Sequence, residues 1–242
     1  GRILYLTEDA SLIHDQLGGR DLVLSADAEM HYGVNTDGMI SGRACTLGYT
    51  PAILGPYFLE NFKETVAKDD VRVGGFQVIV GGDAYGSGSS REVAVVAHQG
   101  AGIELVIARS FQRIFQENMV YAGMPFTTDY GVVDRLRAGE DVDVSNFFDE
   151  LPPFFNQVAV RGGLLPYADA WLRGEVDPWY ETDTEARPMN VVEKIAAARA
   201  WGGGRPGEGG GARFGISSVG PGDQVLCRAG FRGMHEYTAG MV

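Results

Sequence analysis

The chain has 242 residues, enough for one generous domain or for a domain with a satellite segment. Lys and Arg number 20 against 32 Asp and Glu, a net charge of −12, which argues against sequence-independent nucleic-acid binding. With only two cysteines, Cys45 and Cys227, the chain cannot build a disulfide framework, an all-thiolate zinc site or an iron–sulfur cluster held by three or four of its own thiolates. No run reaches the roughly 18 apolar residues of a membrane span, and the first residues, Gly1-Arg2-Ile3-Leu4-Tyr5, lack a signal-peptide pattern. A soluble cytoplasmic protein with free thiols is the expectation.

In chain order, Asp21–Ser25 reads as a strand, 28–48 as a glycine-punctuated loop and 56–68 as helical. The strongest pattern follows. Phe76-Gln77-Val78-Ile79-Val80 is a β-branched run that predicts a strand. It breaks at Gly81–Gly88, and 89–98 then places Val93, Ala94, Val96 and Ala97 at helical spacing. Residues 103–108 predict a second strand and 111–121 a second helix, ended by Gly123 with Pro125 beyond. This βαβα order predicts an α/β fold with a partly parallel sheet and flanking helices. Asp141-Val142-Asp143-Val144 alternates like a late or edge strand. From Leu151 the texture changes: prolines at 152, 153, 166, 178 and 188 predict an extended C-terminal connector over 151–188. Met189–Trp201 predicts a helix, 202–211 a glycine-rich linker, and Val225-Leu226-Cys227 a strand.

Gly86-Ser87-Gly88-Ser89-Ser90-Arg91-Glu92 lies between a predicted strand and helix. Two compatible readings stand side by side. Ser89 and Glu92 have the spacing of a capping box. The glycines and the helix start also suit backbone amides facing an anion. The segment lacks the Gly-Lys-Ser/Thr ending of a Walker loop and the third glycine of a dinucleotide fingerprint.

The same seven residues resemble the Gly-x-Gly-Ser-Ser-Arg-Glu signature of the aconitase superfamily's swivelling domain, which is also the small subunit of isopropylmalate isomerase. Val34-Asn35-Thr36-Asp37, Ile107–Ile114, and Glu117-Asn118 with Ala122-Gly123-Met124-Pro125 resemble three further family segments in the same order. Farther on, Met189–Ile195, Val219–Asp223 and His235-Glu236-Tyr237-Thr238 resemble the start of the large catalytic subunit. The resemblance implies a swivelling β/β/α-type domain over 1–150, the connector over 151–188, and over 189–242 a helix, linker and the beginning of an iron–sulfur catalytic domain.

That family dehydrates and rehydrates hydroxy di- or tricarboxylates. The resemblance therefore implies a hydro-lyase component, incomplete without iron–sulfur domains supplied in cis or as a separate subunit. It places Ser89 as the base, acting as an alkoxide, and Asp37 in a supporting charge role. Ser90, Arg91 and Gly88 would bind a substrate carboxylate, and Arg43 would read the substrate's side chain. A [4Fe–4S] cluster would lie on the partner or missing catalytic domains, with no metal or cofactor on this chain. No nucleic-acid or membrane partner is implied. Cys45, Cys227 and His98 read as packing residues. The alternative is a non-catalytic carboxylate-binding or RNA-binding regulatory relative.

Overall fold

The structure, a computed structural model, describes residues 1–25, 27–177, 185–204, 209 and 211–230. Four short strands build its sheet: β1 (Arg2–Tyr5), β2 (Phe76–Gly81), β3 (Leu105–Ala108) and β4 (Phe126–Thr127). They lie in chain order, and each neighbouring pair is parallel, with Tyr5 opposite Val80, Gly81 opposite Ala108 and Ile107 opposite Thr127. Parallel strands need crossovers, and a sheet with covered faces reads as near-continuous apolar runs. Leu105, Val106, Ile107 and Ala108 are all buried, as that rule requires.

Side chains alternate between two cores. Leu4, Leu6, Ile79, Val106 and Ala108 face one side, where α6 (Val93–Gly100) and α7 (Arg113–Ala122) contribute Val93, Ala94, Ala97, Phe115 and Met119. Tyr5, Val78, Val80, Leu105 and Ile107 face the other, closed by Leu22, Met30 and by Val132 and Val133 of α8 (Gly131–Arg137). The α/β class with flanking helices is the one the sequence predicts, and among the described residues the sheet is parallel throughout.

The differences from expectation have local causes. Asp21–Ser25 is not a strand: Arg137 donates to the carbonyls of Leu22 and Leu24, so the segment satisfies its backbone without a ladder. Asp141–Val144 is not one either. Asp143 instead caps a 3₁₀ turn, Val144–Phe148, by accepting from Ser145 N at 2.9 Å. The 28–48 loop holds two one-turn helices, α2 (Thr36–Met39) and α3 (Gly42–Cys45), capped by the side chains of Asn35 and Ser41. The helix expected over 56–68 is broken. After α1 (Ala10–Leu17) and α4 (Pro51–Leu54) the chain makes two 3₁₀ turns, with left-handed φ at Leu59, Asn61, Lys63 and Glu64. Short α5 (Asp70–Val73) follows.

Of the connector expected to be extended over 151–188, the stretch 151–177 is not extended. α9 (Pro153–Ala159) and α10 (Leu164–Leu172) occupy it, because Val158, Ala159, Tyr167 and Ala170 recur at helical spacing and enter the same core as α7. Prolines at these positions sit near helix starts, where a missing N–H costs little. α11 (Val191–Arg199) appears as predicted, opened by a reciprocal capping box of Asn190 and Glu193. Cys227 makes a lone antiparallel bridge with Ala200 rather than a strand. His235–Thr238 lies outside the described residues. No helix among the described residues is long and apolar enough to cross a membrane.

Candidate active site

Because the strands are parallel, their carboxyl ends share one edge, where ligands collect in open α/β sheets. Residues 30–37 run along that edge, tied to it by main-chain bonds. His31 N donates to Leu6 O at 2.7 Å, Gly33 N to Asp83 O at 2.8 Å and Thr36 N to Ser87 O at 2.9 Å, while Gly86 N returns a bond to Val34 O at 2.8 Å. The loop after β2 is thereby fastened between the 30–37 segment and the loop after β3, where Tyr85 pairs with Phe111. Gly86 must be glycine: its φ is +81°, and a Cβ there would lie 2.1 Å from the Phe115 ring.

The turn delivers Gly88, Ser89 and Ser90 to the surface, all exposed, with Gly88 at φ +90°. Ser89 does not cap the helix as its spacing suggested. α6 begins only at Val93, its cap position is Glu92 with no side-chain cap bond, and the Glu92 carboxylate instead accepts from the Tyr49 hydroxyl at 2.9 Å. The capping role fails because the chain makes one more turn, with Val95 N bonding to Glu92 O, before the helix settles. Ser89 is left with its carbonyl held by the Thr36 hydroxyl at 2.9 Å and its own hydroxyl unbonded among the described residues.

Arg91 and Asp37 come together. Their side chains form an ion pair, and Arg91 Nη1 also donates to Ile40 O at 2.7 Å, so the guanidinium is fixed in direction by two partners from the α2 segment. Arg43, on α3, is exposed; no side-chain contact joins it to Ser89 or Arg91, although its neighbour Gly42 abuts the Arg91 guanidinium. Cys45 is buried and donates to Ser41 O at 3.3 Å. Burial pushes its thiol up, with nearby Arg91 opposing. Tyr49 is pushed up as well, first by burial and then by its bond to Glu92. Beneath the turn, His98 is fully buried: Nδ1 bonds Ala94 O at 2.7 Å and Nε2 meets the Tyr85 hydroxyl at 2.8 Å. Nδ1 therefore carries the proton and Nε2 accepts.

Sequence reasoning missed Thr36, Ile40, Asn118 and the Tyr49–Glu92 pair as parts of this site. Asn118 donates from α7 to Ser90 O at 3.3 Å. Thr36 and Asn118 lie inside segments already singled out, but their spacing along the chain carries no sign that both reach one turn.

An iron–sulfur cluster does not fit this chain. Cys45 lies beside Arg91 and is engaged with Ser41, whereas Cys227 lies near Ala196 of α11, and a cluster needs three thiolates grouped together. Among the described residues no three His, Cys, Asp or Glu side chains are arranged to hold a metal ion.

A family model for the aconitase C-terminal domain matches residues 63–128. The isopropylmalate/citramalate isomerase small subunit of Methanocaldococcus jannaschii is 35% identical over 150 residues, which span 55% of this chain and 86% of that protein. The 3-isopropylmalate dehydratase small subunits of Moorella thermoacetica and Deinococcus deserti are 32% and 34% identical, covering 87% and 85% of their own lengths. A solved structure, 3-isopropylmalate dehydratase from Methanocaldococcus jannaschii, aligns with a TM-score of 0.42 at 28% identity, over 58% of this chain and 89% of that one. With more than four-fifths of each curated relative covered above 30% identity, the chain belongs to the aconitase superfamily, as a swivelling domain of the isopropylmalate dehydratase small-subunit type.

Proposed function

We propose that this chain is the small component of an aconitase-type hydro-lyase acting on a hydroxy di- or tricarboxylate, with Ser89 as base and Arg91 as carboxylate clamp. The observation that carries the reading is the turn itself. It presents an unbonded Ser89 hydroxyl at the carboxyl edge of a parallel sheet, two residues from a guanidinium held by Asp37 and Ile40 O. Relatives named for isopropylmalate and citramalate support the substrate class.

The chemistry explains the residue types. Removing a proton from carbon next to a carboxylate gathers negative charge on a group already charged, so cationic and N–H donors must be in place beforehand. Ser89 takes that proton as an alkoxide, the new C=C forms, and the hydroxyl on the neighbouring carbon departs. A free serine is too weak an acid for this role. The Arg91 charge two residues on favours its ionised form in this reading. Asp37 keeps Arg91 from folding away, and Ser90 adds a donor beside it. Arg43, exposed on the next short helix, reads the substrate's side chain in this proposal. The Lewis acid for the departing hydroxyl belongs to a [4Fe–4S] cluster on iron–sulfur domains, in cis or as a separate subunit. Residues 189–242 open such a domain in this reading, following the domain and its connector, and the free thiols Cys45 and Cys227 suit a reducing cytoplasm.

The test is reconstitution of the full chain with an iron–sulfur large subunit, following alkene absorbance in the ultraviolet with 3-isopropylmalate as substrate. Ser89→Ala should lower kcat by about 100-fold or more with the complex intact. Turnover unchanged by that substitution removes Ser89 as base.

A further inference from the structure

We propose that Thr36 and Asn118 are positioning residues that aim two main-chain amides, those of Ser90 and Arg91, at a substrate carboxylate. The proposal rests on the reading of this turn as the carboxylate site and adds how that site is held open.

A trans peptide is planar, with its C=O and N–H pointing opposite ways. Thr36 is 1% exposed, and its hydroxyl donates to Ser89 O at 2.9 Å, so the Ser89 carbonyl points into the protein. The amide sharing that plane is Ser90 N–H, which must point outward. Asn118 Nδ2 donates to Ser90 O at 3.3 Å and by the same rule turns Arg91 N–H away from α7. Among the described residues neither amide has a hydrogen-bond acceptor. Gly88 and both serines are exposed, so the two consecutive donors open on solvent. Thr36 is itself anchored, its own amide bonding Ser87 O at 2.9 Å, which makes it a rigid post. Two successive carbonyls held by side chains from two distant segments are more than a connecting turn requires. The arrangement leaves a pair of N–H donors beside Arg91, the group set a carboxylate oxygen takes.

The test uses the full 242-residue chain labelled with ¹⁵N and titrated with malonate as a dicarboxylate probe. The Ser90 and Arg91 amide signals should shift saturably. Thr36→Val, which keeps shape and removes the donor, should raise the malonate Kd at least about tenfold, and Thr36→Ser should restore it. Asn118→Ala should weaken the Arg91 amide response, which keeps the test alive if Thr36→Val does not fold. Amides that stay still while malonate is added, or that respond equally in the wild type and Thr36→Val, overturn the proposal. The Ser89→Ala kinetics are read separately. Turnover that depends on Ser89 with unresponsive amides sinks the positioning role alone; responsive amides with no turnover retain it and remove the catalytic reading.

Discussion

At the residue scale, His98 is displaced far from its behaviour in water. It has no exposed surface, and burial pushes its pKa down to about 4 from the ordinary 6.5, with the Ala94 carbonyl opposing. The unfolded chain takes up the proton near 6.5 and the folded chain only near 4. Folding stability is therefore unaffected by this group above 6.5 and falls as pH drops from 6.5 to 4, by roughly 3 kcal/mol in all. Denaturant midpoints measured across that window should slope downward, and His98→Gln should remove the slope. Equal slopes in both proteins would show that His98 titrates normally. The imidazole lies among Phe58, Tyr85 and Phe115, which is why packing rather than ligation was legible for it. Asp37, Ser89, Ser90 and Arg91 were legible from a contiguous motif and one short segment upstream. Thr36 and Asn118 were not, because a hydrogen bond to a carbonyl 53 or 28 residues away leaves no periodic trace.

At the element scale, the βαβα unit was readable because β2 and β3 are apolar on both faces and α6 and α7 repeat at helical spacing. β1 and β4 were missed: β1 is four residues at the chain start and β4 only two, too short for alternation to register. The broken 59–64 stretch was unreadable for another reason. Its left-handed residues are held by tertiary contacts, including Lys63 Nζ on the Glu8 carboxylate at 2.6 Å, and no local propensity announces them. Lys63 and then His31 hold that carboxyl down to about 2. The glycine-rich turn at 86–92 depends on its seat against α7. Gly86→Ala would force a left-handed φ on alanine and drive a methyl into Phe115, which is itself buried. A loss of about 3 kcal/mol is expected, the sum of the backbone and overpacking costs. Thermal unfolding checks it, and a variant as stable as the wild type would mean that the turn can move off α7 freely.

At the scale of the whole molecule, the question is where the sheet domain stops. The apolar core that contains Leu4, Ile79 and Val106 also contains Tyr167, Ala170 and Val176, so α9 and α10 belong with the sheet. No described residue from 185–230 enters either core. The buried apolar residues described in that stretch, Ala197, Ala200, Trp201 and Val219, lie outside both, and its hydrogen bonds are mostly internal, such as Arg187 Nη2 to Val219 O at 2.7 Å and Ser218 Oγ to Glu185 O at 2.6 Å. A ring contact crosses between the two parts: Trp171 meets Trp201 edge to face at 6.3 Å. The Trp171 indole N–H is buried with no hydrogen-bond partner among the described residues. A chain ended after residue 188 should therefore fold with the sheet intact, unfold cooperatively within a few degrees of the full chain, and show red-shifted tryptophan emission as Trp171 meets water. Failure of the 1–188 chain to fold would place α11 and its surroundings inside the sheet domain. It would also remove the proposal that 189–242 opens a separate catalytic unit.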